Sequence, residues 1–250
     1  MLNQQEQKWP SVFRYMRKPQ YDLDFETLPL GKLALKLFLF FLLMMAVNYG
    51  QMIFLVPIID VLESQQDKFN EAIDPLMQDP AMLILIVAII PGITEELWFR
   101  FGLKLYSRLI MLLWSALMIG YLLFLDVSEN GLIDNHFTTA FIGIFILISL
   151  YFWHFNIDKI HNHYKRYFPY IFWFSSLTFG FIHIFNFSPL GFEIKLIYLY
   201  MVYIVGRSIL GAILAYIRMR FGFGYAIIIH MANNLSAAIF MLIGYHYGLN

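Results

Sequence analysis

The chain has 250 residues, of which 60% are hydrophobic and only 14% are charged, and its 17 basic side chains balance 17 acidic ones. A mean hydropathy of +0.65 is higher than a soluble domain of this size needs, which argues against a water-soluble enzyme. The absence of cysteine excludes disulfides, thiolate zinc sites, cysteine nucleophiles and lipidated cysteines.

The N-terminal segment, residues 1–31, is polar, carries mixed charge and has no signal-peptide pattern. We predict that it is cytoplasmic or interfacial and lies on the membrane surface through Trp9, Phe13, Tyr15 and Tyr21. Residues 32–250 are predicted to form one transmembrane domain of the all-α class, a polytopic membrane helix bundle. Its seven predicted spans, each long enough to cross a bilayer, are 32–57, 81–101, 107–125, 137–154, 168–187, 196–217 and 223–245.

The charges between these spans alternate in sign. Basic residues precede the first span and follow the second, fourth and sixth, whereas the other loops are mainly acidic. Because basic loops stay in the cytoplasm, we predict a cytoplasmic N-terminus and an external C-terminus, which an odd number of spans satisfies.

The second span contains two adjacent carboxylates, Glu95 and Glu96, with Arg100 four residues after the second. A charged side chain in hydrocarbon costs a few kcal/mol, so it usually persists only in a paired or water-lined interior. Glu96 and Arg100 are spaced to share one helix face, whereas Glu95 points about 100° away. We predict that Glu96 is a structural partner of Arg100 and that Glu95 is reactive. Pro91 and Gly92 indicate a locally broken helix that could admit water.

Other strongly polar residues at membrane depth lie in the fifth, sixth and seventh spans. Helical spacing projects each histidine and a nearby asparagine into one small volume. Phe179 lies one turn before the first histidine and is predicted to pack beside its imidazole. The residues are His183 and Asn186 in the fifth span, Arg207 in the sixth, and His230, Asn233 and Asn234 in the seventh.

A carboxylate and two imidazoles can hydrolyse a bond in two ways, and both stay open here. Glu95 can act as general base on a water that the histidines position. Alternatively Glu95, His183 and His230 can ligate Zn²⁺, which acidifies its bound water. In either case an asparagine amide nearby could donate to the oxyanion of a tetrahedral intermediate.

Structural readings of the same residues also stay open. A Glu–Arg pair, a single histidine or an asparagine in a span can simply join helices by hydrogen bonds. Arg207 could pair with an acidic residue, bind backbone carbonyls or extend to the interface. The occurrence of these groups on three spans, in surroundings almost free of charge, favours a shared site.

In this order and on separate spans, Glu95-Glu96-x-x-x-Arg100, Phe179-x-x-x-His183 and His230-x-x-x-Asn234 resemble the CPBP family. These are CAAX-type prenyl proteases and bacteriocin-processing intramembrane proteases, also called the Abi family. The resemblance covers residues 91–236, and the core motif residues show no departure from the family pattern.

The resemblance implies a helix bundle around a water-accessible cavity that cleaves peptide bonds at or within the membrane. It implies that Glu95 activates the water, that His183 and His230 assist, and that Asn234 lines the oxyanion site. Glu96 would pair with Arg100 to hold the motif. The family is described both as metalloproteases and as metal-independent glutamate proteases, and we favour water activation without a tightly bound metal.

The function predicted is that of an intramembrane endopeptidase acting on a membrane-associated or lipidated peptide. Its expected partners are a peptide or membrane-protein substrate and the lipid bilayer, with no nucleic acid, and its expected location is multi-pass in the plasma membrane (the inner membrane of a bacterium). One rival is a non-catalytic peptide-binding, immunity or scaffold protein, which predicts the loss of a polar motif residue. A second rival is a proton-coupled transporter, which often shows two related halves. The sequence shows neither feature.

Overall fold

A computed structural model of the protein describes residues 10–54, 75–128, 135–184 and 196–247. Regular structure within these ranges is helical, and they contain no strand, which confirms the predicted all-α class. The helices are α1 (Val12–Arg17), α2 (Leu30–Ile53), α3 (Pro80–Ile84), α4 (Ile90–Phe99), α5 (Arg108–Ser128), α6 (Asn135–His154), α7 (Ile157–Ile182), α8 (Ile197–Phe221) and α9 (Phe223–Tyr247).

Several of these helices have the length and composition of membrane spans. Two more contain shorter apolar stretches, Arg108–Leu123 and Thr139–His154. The acidic segments 55–74 and 129–134 lie outside the described residues, so the orientation and the number of seven spans stay predictions. Within the described ranges, four segments are long and apolar enough to cross a membrane: Leu30–Gln51, Pro80–Leu103, Ile197–Phe221 and Phe223–Tyr247.

The second half of α7 shows how such a helix meets its surroundings. Phe174, Leu177 and Phe181 are exposed and recur at helical spacing along one face. The opposite face contains Phe172 and Phe179, which are buried. A helix that is apolar on its exposed face as well as its buried one suits contact with lipid rather than water.

A π-helical turn, Leu85–Ile89, separates α3 from α4. Pro91 follows it in the first turn of α4. Proline has no N–H and its ring collides with the carbonyl four residues earlier in a regular α-helix, and a π-turn is a local irregularity that accommodates this. Residues 80–103 therefore run as one helical segment with an irregular turn just before Pro91, where Pro91 and Gly92 predicted a local break.

The chain divides into two compact units. The first contains residues 1–103 and 169–250, and the second contains residues 104–168. In the first unit α8 is central, its second half is buried, and α2 and α9 pack against it. In the second unit α5 packs against α6, where Trp114 meets Phe145 edge to face at 5.4 Å.

The N-terminal segment is held by contacts with the protein. Tyr15 and Tyr21 are buried, and the hydroxyl of Tyr216 on α8 donates a hydrogen bond to the carbonyl of Pro10. Phe13 is exposed, and Trp9 lies outside the described residues. Tyr15 and Tyr21 therefore do not anchor the segment in the membrane surface, because both side chains are buried within the protein. The cytoplasmic or interfacial position of the segment itself stays a prediction.

Candidate active site

The two adjacent glutamates lie near the end of α4 and differ in burial. Glu96 is fully buried, whereas 26% of the Glu95 side chain is exposed. Successive residues of a helix point about 100° apart, so one carboxylate enters the protein while the other borders accessible space. This difference is the one that the sequence predicted.

Glu96 joins Arg100 to His230. Its Oε1 atom lies 3.6 Å from Nη1 of Arg100 and 3.0 Å from Nδ1 of His230, and all three side chains are buried. The predicted Glu96–Arg100 pair is therefore present, with a histidine as a further partner. A buried ion pair needs such additional hydrogen bonds to offset the loss of water.

Glu95 lies between two imidazoles. Its Oε2 atom is 3.6 Å from Nε2 of His183 and 3.6 Å from Nε2 of His230. That oxygen is buried and has no hydrogen-bond partner among the described residues. A separation of 3.6 Å is too long for a direct hydrogen bond and is of the kind that a water often bridges. The fold thus brings together three groups from α4, the end of α7 and α9.

The other ring nitrogen of each imidazole already has a partner. Nδ1 of His183 lies 2.6 Å from the carbonyl oxygen of Phe179, and Nδ1 of His230 bonds Glu96. A carbonyl or carboxylate oxygen only accepts, so Nδ1 carries the hydrogen in both rings. When it is neutral, each ring presents the lone pair of Nε2 towards Glu95. Three acceptors surround one point, and a water there would supply the hydrogens.

Phe179 contacts both imidazoles and the arginine of the motif. Its ring centroid lies 4.5 Å from that of His183 and 5.7 Å from that of His230. The guanidinium carbon of Arg100 lies 3.9 Å from the same centroid, which is a cation–π contact. Packing beside His183 was predicted, whereas the contacts with His230 and Arg100 were not.

Side chains of α7 and α8 hold the end of α4. The last carbonyls of a helix have no partner within it. Here the carbonyl of Phe99 accepts a hydrogen bond of 2.5 Å from the hydroxyl of Ser175, and that of Arg100 accepts one of 3.3 Å from Nε of Arg218. The two glutamates are therefore fixed by neighbouring helices as well as by their own.

Two glycines let the helices around the site approach closely. A Cβ on Gly180 would overlap Ser208 and the carbonyl of Ile204 on α8, and one on Gly211 would lie 3.0 Å from both Nη2 of Arg100 and the Phe179 ring. Small residues at such crossings let membrane helices pack backbone to backbone. Gly211 on α8 thus leaves room for both Arg100 and the Phe179 ring beside that helix.

The predicted asparagines divide into three cases. Asn234 is half-buried and lies one turn after His230, on the same helix face; its oxyanion role stays a prediction. Asn233 is buried, and its Oδ1 accepts a hydrogen bond of 2.8 Å from the amide of Asn48 on α2, so it joins two helices. Asn186 lies outside the described residues.

A zinc ion would need three protein ligands arranged around one point. Within the described part of the chain, no group of three histidine, cysteine, aspartate or glutamate side chains is arranged to hold a metal ion. Glu95, His183 and His230 are nonetheless neighbours, with Oε2 of Glu95 3.6 Å from Nε2 of each imidazole. The zinc alternative stays a prediction, and the mechanism below is the metal-free one that the sequence analysis favours.

Sequence reasoning missed the histidine bound by Glu96 and undervalued Arg207. Arg207 on α8 lies within electrostatic range of Glu95 and His183, whereas the sequence interpretation treated it as a structural residue. The available signal was charge: two glutamates at membrane depth face only one arginine in their own span, so a cation from another helix was to be expected nearby.

A family model described as Rce1-like, type II CAAX prenyl endopeptidase Rce1-like, matches residues 77–236 of the chain. The match covers well over half of the 250 residues and includes every candidate site residue from Glu95 to Asn234. No curated protein and no solved structure matches the chain.

Proposed function

Because this chain belongs to the Rce1-like family of type II CAAX prenyl endopeptidases, we propose that it is an intramembrane endopeptidase that uses water activated by Glu95. The substrate class proposed is a membrane-associated or lipidated peptide. The family is one of proteases, and its members' chemistry requires a base, a bound water and a group that stabilises the oxyanion.

The chain is an integral membrane protein, as its long apolar helices and its family indicate. We propose further that it crosses the bilayer several times, with a cytoplasmic N-terminus and with its active site below the membrane surface. Such a site can receive a peptide whose lipid anchor stays in the bilayer, because both then lie at the same depth.

The observation that carries the proposal is the position of Glu95. Its Oε2 has no hydrogen-bond partner in the part of the chain that the structure describes and lies 3.6 Å from Nε2 of both His183 and His230. A water between these three atoms would donate one hydrogen to Glu95 and the other to an imidazole. Its oxygen lone pair would then be free to attack a carbonyl carbon.

In the proposed reaction Glu95 takes a proton from the water as its oxygen bonds to the carbonyl carbon of the substrate. The carbonyl oxygen becomes the oxyanion, and the amide of Asn234 is proposed to donate to it. Glu95 then gives its proton to the departing nitrogen as the C–N bond breaks. The products are a carboxylic acid, which releases its proton to solvent, and an amine, and Glu95 is again ionised for the next turnover.

Glu96, Arg100 and Phe179 act through the imidazoles in this proposal. Glu96 holds Nδ1 of His230, and the carbonyl of Phe179 holds Nδ1 of His183. Both contacts direct Nε2 towards the water. These three are positioning residues, because none of them contacts the reacting atoms.

The family match does not favour the rival functions of an immunity or scaffold protein or a proton-coupled transporter. The test is hydrolysis itself. Purified protein in lipid vesicles is incubated with a prenylated C-terminal peptide and its unprenylated twin, and the products are identified by mass. Cleavage of a peptide bond by the wild type and not by Glu95→Gln would support the proposal. No cleavage of either peptide, or equal cleavage by both proteins, would overturn it.

A further inference from the structure

Arg207 is a charged residue near the candidate active site, and the proposed mechanism gives it no role. It lies at the middle of α8, a helix long and apolar enough to cross the bilayer. A charge at such a depth is costly unless it is paired or faces a water-filled space. Its position therefore calls for a partner.

The helix face that carries Arg207 is turned towards the catalytic motifs. Gly211 lies one turn later on α8, and its surface meets Arg100 and the Phe179 ring. Residues four apart share one face of a helix, so Arg207 lies over the same face, about 6 Å further along the axis. Its electrostatic interaction with Glu95 and His183 agrees with this placement.

Tyr203 holds the side chain of Arg207 in place. Nη2 donates a hydrogen bond of 2.8 Å to the hydroxyl of Tyr203, and the guanidinium lies 4.6 Å from the centre of that ring. Nε is buried and, within the described ranges, has no hydrogen-bond partner. Among the described residues, no carboxylate forms an ion pair with Arg207, and the side chain is only half-buried, so a ligand can reach it.

These features match the requirements for binding a carboxylate. A guanidinium presents several N–H groups in a rigid plane and pairs with a carboxylate through two parallel hydrogen bonds. Tyr203 occupies one of these donors and fixes the orientation of the plane. A peptide cut near its C-terminus always brings one carboxylate with it, on the fragment that leaves.

We propose that Arg207, oriented by Tyr203, binds the free α-carboxylate of the substrate and so directs cleavage to a bond near the C-terminus. This inference rests on the proposed protease function and adds to it a residue that selects the substrate. Arg207 would contact the leaving fragment, while Glu95 acts on the scissile bond.

The test compares one peptide with a free C-terminal carboxylate with its C-terminal amide. Wild-type protein is expected to cleave the free acid with a kcat/KM roughly tenfold to a hundredfold higher, the range that a hydrogen-bonded charge provides. Arg207→Gln should lose this factor, mainly through a higher KM for the free acid, so that the ratio of kcat/KM for acid and amide falls towards one. Tyr203→Phe, which keeps the ring and the cation, should lose part of it. Arg17→Gln removes an exposed charge on α1 and should keep the full preference.

Three results would overturn the inference. One is an equal rate of cleavage of acid and amide by the wild type. Another is an equal loss of kcat/KM on both peptides in Arg207→Gln, which would indicate a role in folding or in the chemical step. The third is equally fast cleavage of the free acid and of an amidated peptide that ends in glutamate. Arg207 would then not be recognising the α-carboxylate specifically. If Arg207→Gln does not fold, Tyr203→Phe decides the question. Absence of any cleavage by the wild type, by contrast, would overturn the protease proposal itself.

Discussion

Glu96 Oε1 lies 3.0 Å from Nδ1 of His230, so a carboxylate that the sequence pairs with an arginine also orients one of the two imidazoles. His183 has no such partner, because its Nδ1 bonds a backbone carbonyl. The two histidines thus face Glu95 in the same way but depend on different supports. This difference separates catalytic from structural effects in their variants.

Replacing either histidine should lower activity to a similar extent, but the two replacements should lower thermal stability to different extents. His183→Ala and His230→Ala should each lower kcat by about 10²–10⁴-fold, the usual range for a group that moves or positions a proton. His230→Ala should also lower the melting temperature more than His183→Ala, because it leaves the buried Glu96 carboxylate short of a hydrogen bond. Peptide cleavage and thermal unfolding in the same detergent measure both effects. Equal melting temperatures for the two variants would contradict the role given to Glu96.

Arg100→Ala should damage the fold. The change leaves Glu96 buried without its cation and removes the contact of the guanidinium with the Phe179 ring. Breaking a buried pair in this way costs about 3–5 kcal/mol. Thermal unfolding and the yield of monodisperse protein are the measurements, with the exposed Arg17→Ala as control. An Arg100→Ala protein that melts with the control would show that the pair contributes nothing to stability.

Gly180→Ala tests the close crossing of α7 and α8. The added methyl would meet the backbone of Ile204 and Ser208, which cannot move without shifting α8, and overpacking of this kind costs about 1–3 kcal/mol. Gly50→Ala is the matched control, since a Cβ there meets nothing within 4 Å. Gly180→Ala should therefore melt lower and cleave more slowly, while Gly50→Ala keeps wild-type values. Similar behaviour of the two variants would mean that the helices do not cross here.

Glu26, in the N-terminal segment, should make the melting temperature of the protein depend on pH. Burial alone would raise the pKa of Glu26, but hydrogen bonds from Arg220 and Lys36 outweigh it and lower that pKa below its ordinary value of 4.5. The ionised form is favoured in the folded state, so its contribution is complete above the ordinary pKa and is lost as the pH falls through the lowered one. The melting temperature of Glu26→Gln should accordingly lie below that of the wild type at pH 7 and approach it towards pH 4. A difference that stays constant over this range would rule out the contribution of Glu26.

Much of the site could be predicted because helical periodicity is local. The i, i+4 spacing of Glu96 and Arg100 and the 100° step to Glu95 follow from the geometry of one helix, and the structure contains both relationships. Glycine and proline before the glutamates indicated an interruption, which is the π-turn Leu85–Ile89.

Contacts between different helices could not be predicted from residue spacing. Whether Glu96 meets His230, or Arg100 meets Phe179, depends on how α4, α7 and α9 rotate and cross, and spacing within one helix carries no such information. The burial of Tyr15 was missed for the same reason, because an aromatic residue in a polar segment suits an interface and a protein pocket equally well. Small residues such as Gly180 and Gly211 were the available signal for close crossings.

The central claim is that Glu95 activates the attacking water, and the kcat of Glu95→Gln measures it most directly. Glutamine keeps the size of the side chain and one acceptor oxygen but takes up no proton. The account predicts a fall in kcat of about 10²–10⁴-fold on a peptide that the wild type cleaves, with an unchanged melting temperature. A Glu95→Gln protein that folds normally and cleaves at the wild-type rate would contradict it.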